Sequence, residues 1–300
     1  MVPRPLLATA LVAVTGVALA AQSEPRTIFR ASADLVSVAV IVRGPDGRLV
    51  PNLKASDFEV LDDGLPQRIV QFQSGEDADA RLALLVDSSG SMVLGAKRQR
   101  SAMATEFLIA GLKGRDAASV FSFDSHVRRL TPFTRDADLL RTAVSSVEPY
   151  GATRLYDAIV ATVKTVTGDA PRARAVLLLT DGMDTSSVLS PGEAASTAAA
   201  LDIPLYVLAV SDEDTRTIAK ASNVTDAMTL NELAVRTGGL AAEAATNAQL
   251  SLVTRTILTE LRHQYVLAFP AGSVKGWHEL AVRVHRGRVH ARSRDGYLVS

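Results

Sequence analysis

Three short stretches of this sequence carry clustered oxygen-bearing side chains. They are Asp87-Ser88-Ser89-Gly90-Ser91, Asp181-Gly182-Met183-Asp184 and the polar loop around Thr153. Hard cations such as Mg²⁺, Mn²⁺ and Ca²⁺ take oxygen from carboxylates, hydroxyls, carbonyls and water, and Mg²⁺ demands an octahedron at about 2.1 Å. Spacing by two in D-x-S-x-S lets one loop aim Asp87, Ser89 and Ser91 at a common point, with Gly90 relieving the backbone between them. Taken alone, that string suits a helix cap or a polar turn equally well. Three nearby acids have readings that need no ion: Asp184 as a solvated loop acid, Asp124 as a turn residue, and Asp157 as an acid favoured by the dipole at a helix start. For Asp157 a supporting role behind the site is an equal alternative.

Such distant stretches act together only if the fold gathers them. From about residue 80, short apolar runs at 82–86, 119–123, 176–180 and 204–210 read as buried strands. Helical spacing separates them: Met103, Phe107 and Ala110; Leu140, Ala143, Val144 and Val147; Leu155, Ile159, Val163 and Val166. Ser190 with Pro191 and Glu193, and Thr229 with Glu232, carry the capping-box signature of helix starts. A last helix from about Ala248 to Arg262 has Leu250, Val253, Ile257 and Leu261 on one face. This alternation predicts an α/β fold, a doubly wound, mostly parallel sheet covered on both faces. Ligands of such sheets sit beyond the carboxyl ends of the strands at a topological switch point. Asp87 and Asp181 each follow a strand directly, and Thr153 precedes the Leu155 helix.

The flanks have another period. Alternation over 35–42 and 57–61, with turn residues at Gly44-Pro45-Asp46-Gly47 and Asp62-Asp63-Gly64, predicts antiparallel β structure within 28–76. Strand-like runs at 265–269, 279–285 and 289–294 follow within 263–300. An α/β segment between two β segments implies that the flanks pair into one antiparallel β module beside it.

With these elements placed, the chain resembles the von Willebrand factor A domain over roughly residues 80–262. The resemblance rests on Asp87-x-Ser89-x-Ser91, on Gly151-Ala152-Thr153-Arg154-Leu155-Tyr156-Asp157 and on Leu178-Leu179-Thr180-Asp181-Gly182, which look like the three loops of that family's metal-ion-dependent adhesion site. It implies a divalent cation, Mg²⁺ first and Mn²⁺ or Ca²⁺ as alternatives. Ser89, Ser91 and Thr153 would be neutral hydroxyl ligands, and Asp87 and Asp181 acidic ligands acting directly or through water. Two carboxylates only cancel a dication, so the ion keeps an appetite for one more anionic oxygen. The implied partner is a protein or peptide presenting an Asp or Glu carboxylate, and the implied role is adhesion or assembly, not catalysis. Two alternatives stand beside it: a metal-dependent phosphatase-like enzyme with Asp87 as nucleophile, and a structural A-like domain that holds no ion. The first lacks the second acid such sites use, since Ser89 stands there. The flanking β patterns resemble exported bacterial proteins in which an A domain lies between β segments, a likeness that names an architecture and no activity.

Composition removes other classes. The 300 residues contain 32 basic and 32 acidic side chains, so no net field favours nucleic acid or an anionic membrane. Basic 283–294 lacks interleaved aromatics for base stacking. The absence of cysteine excludes disulfides, zinc-thiolate sites, thiol catalysis and a lipoprotein anchor. No G-x-S-x-G elbow is present for a serine hydrolase. The five histidines are scattered without a pairing motif and are expected at half-buried or surface positions. Arg4 and Pro5, the apolar run from Leu6 to about Ala20 and the A-x-A residues Ala18 and Ala20 predict a secretory signal over 1–21. Export to the periplasm or medium follows, with no membrane span after cleavage. The alternative, an uncleaved anchor, has an apolar run shorter than the ~20 residues that cross a bilayer.

Overall fold

The computed structural model describes residues 35–75, 78–93, 96–166, 173–210 and 228–299, and the expected signal over 1–21 lies outside them. The first described segment forms β1 (Leu35–Arg43), β2 (Phe58–Asp62), β3 (Leu65–Gln67) and β4 (Gln71–Gln73). Alternating elements follow: β5 (Ala80–Asp87), α1 (Lys97–Gly111), β6 (Ala117–Phe123), β7 (Val127–Arg129), α2 (Ala137–Ser145) and α3 (Leu155–Val166). Next come β8 (Ala173–Thr180), α4 (Pro191–Ala200), β9 (Leu205–Ala209), α5 (Leu230–Arg236), β10 (Ala241–Glu243) and α6 (Asn247–Arg262). The chain closes with β11 (Tyr265–Pro270), β12 (Gly276–Val284), β13 (His290–Arg292) and β14 (Gly296–Val299).

The central sheet has the order β10-β9-β8-β5-β6-β7, parallel throughout except for the β6–β7 pair. Strand β5 explains why its apolar run is continuous. Leu82, Leu84 and Val86 face Leu108 of α1, Leu140 of α2 and Ile257 of α6, whereas Ala83 and Leu85 face Ile159 of α3, Ala195 of α4 and Leu233 of α5. With both faces covered, the positions from Leu82 to Val86 are all apolar. The fold is therefore the mixed α/β, mostly parallel architecture that the alternation predicts. From β5 the chain moves to β6 on one side and later returns to β8 on the other, so the winding reverses between β5 and β8. That reversal is the crevice where ligands of such sheets bind.

Details differ from expectation where packing outweighs hydrophobicity. In α1 the buried positions include Ser101, Ala104, Thr105, Leu108 and Ile109, not the Met103, Phe107 and Ala110 stripe, whose members are half-buried or exposed. Small side chains let α1 lie close against α6, and Thr105 satisfies its hydroxyl on the Ser101 carbonyl at 3.0 Å. Helix α2 ends at Ser145, yet Val147 beyond it stays buried. Both capping boxes form, Ser190 with Glu193 and Thr229 with Glu232.

Strands from the two flanks pair with one another. Sheet β13-β1-β11-β4 and sheet β14-β12-β2-β3 are antiparallel, with Val38 opposite Leu267 and Val60 opposite Val282. Their inward residues, among them Val38, Val40, Phe58, Val60, Leu267, Phe269 and Tyr297, share one core. The Tyr265 hydroxyl donates to the Val50 carbonyl at 2.7 Å and accepts from the Leu53 N–H at 3.2 Å, closing the loop between β1 and β2.

Candidate metal centre

Strand β5 ends in Asp87, 2% exposed, at the edge where the winding reverses. Both of its carboxylate oxygens are used: Oδ1 accepts the Ser89 N–H at 2.9 Å and Oδ2 accepts the Thr180 hydroxyl at 2.6 Å. Thr180 closes the adjacent strand β8, so a side-chain bond ties the two strand ends directly beneath the loops. Ser89 and Ser91 bring their hydroxyl oxygens to 3.0 Å of one another. The next loop locks onto this one, because the Gly90 N–H donates to the Gly151 carbonyl at 3.1 Å and the Tyr150 N–H to the Ser88 carbonyl at 2.7 Å. Gly151 holds φ +85°, a left-handed conformation that an L side chain resists.

Thr153 is buried, and its backbone fixes the third loop. Its carbonyl accepts the N–H groups of Thr185 and Ser186 at 2.9 and 3.1 Å, while its N–H donates to the Thr185 hydroxyl at 2.9 Å. Asp181, directly after β8, turns its Oδ2 to the ammonium of Lys97 at 2.9 Å, with both side chains almost fully buried. Gly182 follows at φ +88°. The three stretches singled out by residue type thus meet at the carboxyl edge between β5 and β8, interlocked by backbone hydrogen bonds.

The electrostatics suit a cation. Burial pushes the Asp87 carboxyl above the usual carboxylate range, the hydrogen bonds from Ser89 and Thr180 hold it back, and the charge of Asp181 adds to the rise. Two acids close enough to feel each other, with oxygen donors around them, form a donor set for a hard ion. The serine pair supplies a geometric test of fit. Adjacent corners of an octahedron with 2.1 Å bonds lie about 3.0 Å apart, the spacing of the Ser89 and Ser91 oxygens. Asp87, Ser89, Ser91, Thr153 and Asp181 are the residues that would hold a divalent ion, and among their side-chain oxygens the structure brings the Ser89 and Ser91 hydroxyls into contact.

Lys97 had no signal in the sequence. It is a single lysine at the first turn of α1, and its partner Asp181 lies 84 residues further on. The other acids resolve into structural roles. Asp184 is half-buried, not solvated: its Oδ1 accepts the Leu155 N–H at 2.8 Å and the Ser187 hydroxyl at 2.6 Å, capping α3. Asp157 receives the Val188 and Leu189 N–H groups at 3.2 and 3.0 Å. Asp124 accepts the His126 N–H at 2.8 Å, the turn expected of it, and also pairs with Arg128 at 2.5 Å.

A second cluster lies in the β flanks, where the sequence placed only scattered histidines. His278 of β12 is buried, with Nδ1 2.9 Å from Asp62 and 3.0 Å from Asp63. Its Nε2 donates to the Val274 carbonyl at 2.8 Å. Among the described residues these three offer His and carboxylate atoms within 4.8 Å of one another. Both ring nitrogens face acceptors, an arrangement that favours the protonated ring, whose positive charge then lies against the two acids. The signal was unreadable in sequence, because 216 residues separate Asp62 from His278.

The sheet order and the three interlocked loops set the comparison with known proteins. Residues 82–183 match the von Willebrand factor type A domain. That segment contains every residue of the loop rim from Asp87 to Met183. A solved von Willebrand factor type A protein from Catenulispora acidiphila shares the fold, with a TM-score of 0.51 and 12% identity over 82% of this chain and 75% of that one. The conserved hypothetical protein BatB from Bacteroides thetaiotaomicron matches with 18% identity and a TM-score of 0.48 over 61% of this chain and 98% of that one. An aerotolerance-related membrane protein from Bacteroides fragilis matches with 17% identity, the same coverage and the same TM-score. No curated protein matches the chain in sequence. Among the described residues no helix is long and apolar enough to cross a membrane.

Proposed function

We propose that the chain is an exported, divalent-cation-dependent protein-binding module, acting in adhesion or assembly and not as an enzyme. Asp87, Ser89, Ser91, Thr153 and Asp181 hold the ion, Mg²⁺ in the first instance, and the partner presents an Asp or Glu side chain. The observation that carries this reading is the meeting of three distant loops at the β5–β8 edge, with serine oxygens spaced as neighbouring ligands. Support also comes from the A-domain match, within which all five residues lie.

The chemistry the ion supplies is an electrophilic position for a carboxylate oxygen. The protein's residues do the rest: the hydroxyls add no charge, Thr180 and the Ser89 N–H orient Asp87, and the Thr153–Thr185 bonds keep the rim in register. Asp87 is a poor nucleophile here, because burial and two hydrogen bonds immobilise both of its oxygens.

A ligand that binds only the folded chain stabilises it by RT ln(1 + [L]/Kd). Mg²⁺ or Mn²⁺ at a hundred times Kd should raise stability by about 2.7 kcal/mol, read as an upward shift in thermal unfolding. Asp181→Ala should abolish the shift, and with it the chelator-sensitive capture of partners from an envelope extract. An unchanged melting temperature with Mg²⁺, Mn²⁺ and Ca²⁺ alike would refute the proposal.

A further inference from the structure

We infer that Lys97 is a built-in competitor for the cation site, a tethered ammonium that sets how tightly the site takes a divalent ion. The inference rests on the metal-binding reading of the rim and concerns its regulation.

The placement of Lys97 runs against local physics. It opens α1, where the helix dipole favours negative charge and disfavours a cation. Its side chain is 4% exposed, although a lysine ammonium is costly to bury without a partner. What holds it there is the rim: Nζ donates to Asp181 Oδ2 at 2.9 Å and faces the Ser91 carbonyl at 3.5 Å. Both contacts are to residues of the candidate centre, one from each of two loops. Lys97 therefore lies at the centre itself, and its charge bears on whatever cation the centre takes.

Two consequences follow from Coulomb's law. Asp87 and Asp181 alone offer a dication a formal charge of −2, whereas with Lys97 they offer −1, so the attraction is weakened. An ion within about 2.1 Å of Asp181 Oδ2 also meets an ammonium already 2.9 Å from that oxygen. Like charges a few ångströms apart in a buried setting repel strongly, so Nζ must withdraw as the ion enters. Its four-carbon stem gives it the reach to do so. The ion pair with Lys97 and direct coordination then compete for Asp181 Oδ2.

Isothermal calorimetry of Mg²⁺ and Mn²⁺ binding to the full chain tests this, using Lys97→Met, Lys97→Gln and Lys97→Arg. Removing the charge should tighten binding by about tenfold or more, since a neighbouring unit charge commonly changes cation binding by that order. Lys97→Arg, which keeps the charge, should bind no more tightly than the wild type. Lys97→Gln retains a donor for Asp181 and serves if the methionine variant folds poorly. In the wild type, amine acylation at Lys97, followed by peptide mass spectrometry, should be faster with Mg²⁺ or Mn²⁺ than with chelator. Equal affinities across wild type, Met and Gln, or metal-independent acylation, would overturn the inference while leaving the metal site standing. If neither the wild type nor any variant binds metal, the site reading falls and the inference falls with it. Binding by the neutral variants alone supports it.

Discussion

Lys97 and His278 do comparable work in different parts of the chain, each placing a basic side chain against a buried carboxylate, Asp181 for Lys97 and Asp62 for His278. At His278 the consequence is dependence on pH. The Nε2 hydrogen bond to the Val274 carbonyl raises the imidazole above its ordinary value; burial opposes this, and the Asp62 hydrogen bond with the charges of Asp62 and Asp63 adds to it. The groups facing the ring are Asp62 from β2, Asp63 from the following turn, the Val274 carbonyl and Tyr297 of β14, stacked on it at 5.1 Å. Tyr297 donates to Asp62 at 2.8 Å, and burial together with that bond pushes its phenol up to about 12, so it stays neutral across the working range. A group with a raised folded-state value adds stability that is fully present below its unfolded value of about 6.5 and is lost as pH rises through the folded value. The urea midpoint should therefore fall as pH rises above about 6.5 in the wild type. In His278→Gln that fall should disappear. An identical decline in both proteins would remove His278 from the account.

At the scale of elements, helix α1 shows where hydrophobic pattern and packing part company. Its buried face is built from Ser101, Ala104 and Thr105 as well as Leu108 and Ile109, and Ala104 is fully buried against the sheet and α6. Ala104→Leu should then overpack the interface and cost about 1–3 kcal/mol in urea unfolding. Met103→Leu on the half-buried side should cost less than about 1.5 kcal/mol. Equal effects at both positions would show that the face is assigned wrongly. The sequence could not reveal this face, because small and hydroxylated residues leave no apolar stripe. Strands β5, β8 and β9 were legible for the opposite reason: covered on both sides, each contains an unbroken apolar run. Short edge strands such as β7 (Val-Arg-Arg) and β10 (Ala-Ala-Glu) were not, since only a neighbouring strand makes three such residues extended. The three loops of the candidate centre could be read as oxygen-bearing stretches at strand and helix junctions. Their closest partners, Thr180 beneath Asp87 and Lys97 against Asp181, are long-range pairings that no local spacing encodes.

The α/β region and the flanking β sheets are fastened at one carboxylate. Glu260 of α6 is fully buried and accepts from Arg43 of β1 at 2.7 and 3.0 Å, from Arg292 of β13, and from the Tyr206 hydroxyl of β9 at 3.0 Å. One side chain thus joins the last helix, the central sheet and strands from both flanks. Further bonds run the same way: Arg294 donates to the Ala199 carbonyl of α4 and to the Ser37 carbonyl of β1, and Arg236 of α5 pairs with Asp295 at 2.8 Å. Removing Glu260 leaves the buried Tyr206 hydroxyl without its acceptor and two part-exposed guanidiniums without their carboxylate, a loss of about 1–3 kcal/mol. Glu260→Ala should lose stability on that scale, and Glu260→Gln less, since its amide oxygen still accepts. The single tryptophan, Trp277 of β12, reports on the flanks by fluorescence, while far-UV circular dichroism reports on the helices of the α/β region. In the wild type the two signals should follow one urea transition; in Glu260→Ala they should separate as the two regions lose their shared anchor. Coincident transitions in the variant, with a loss below about 1 kcal/mol, would mean that the apolar contacts alone couple the regions and that Glu260 is dispensable.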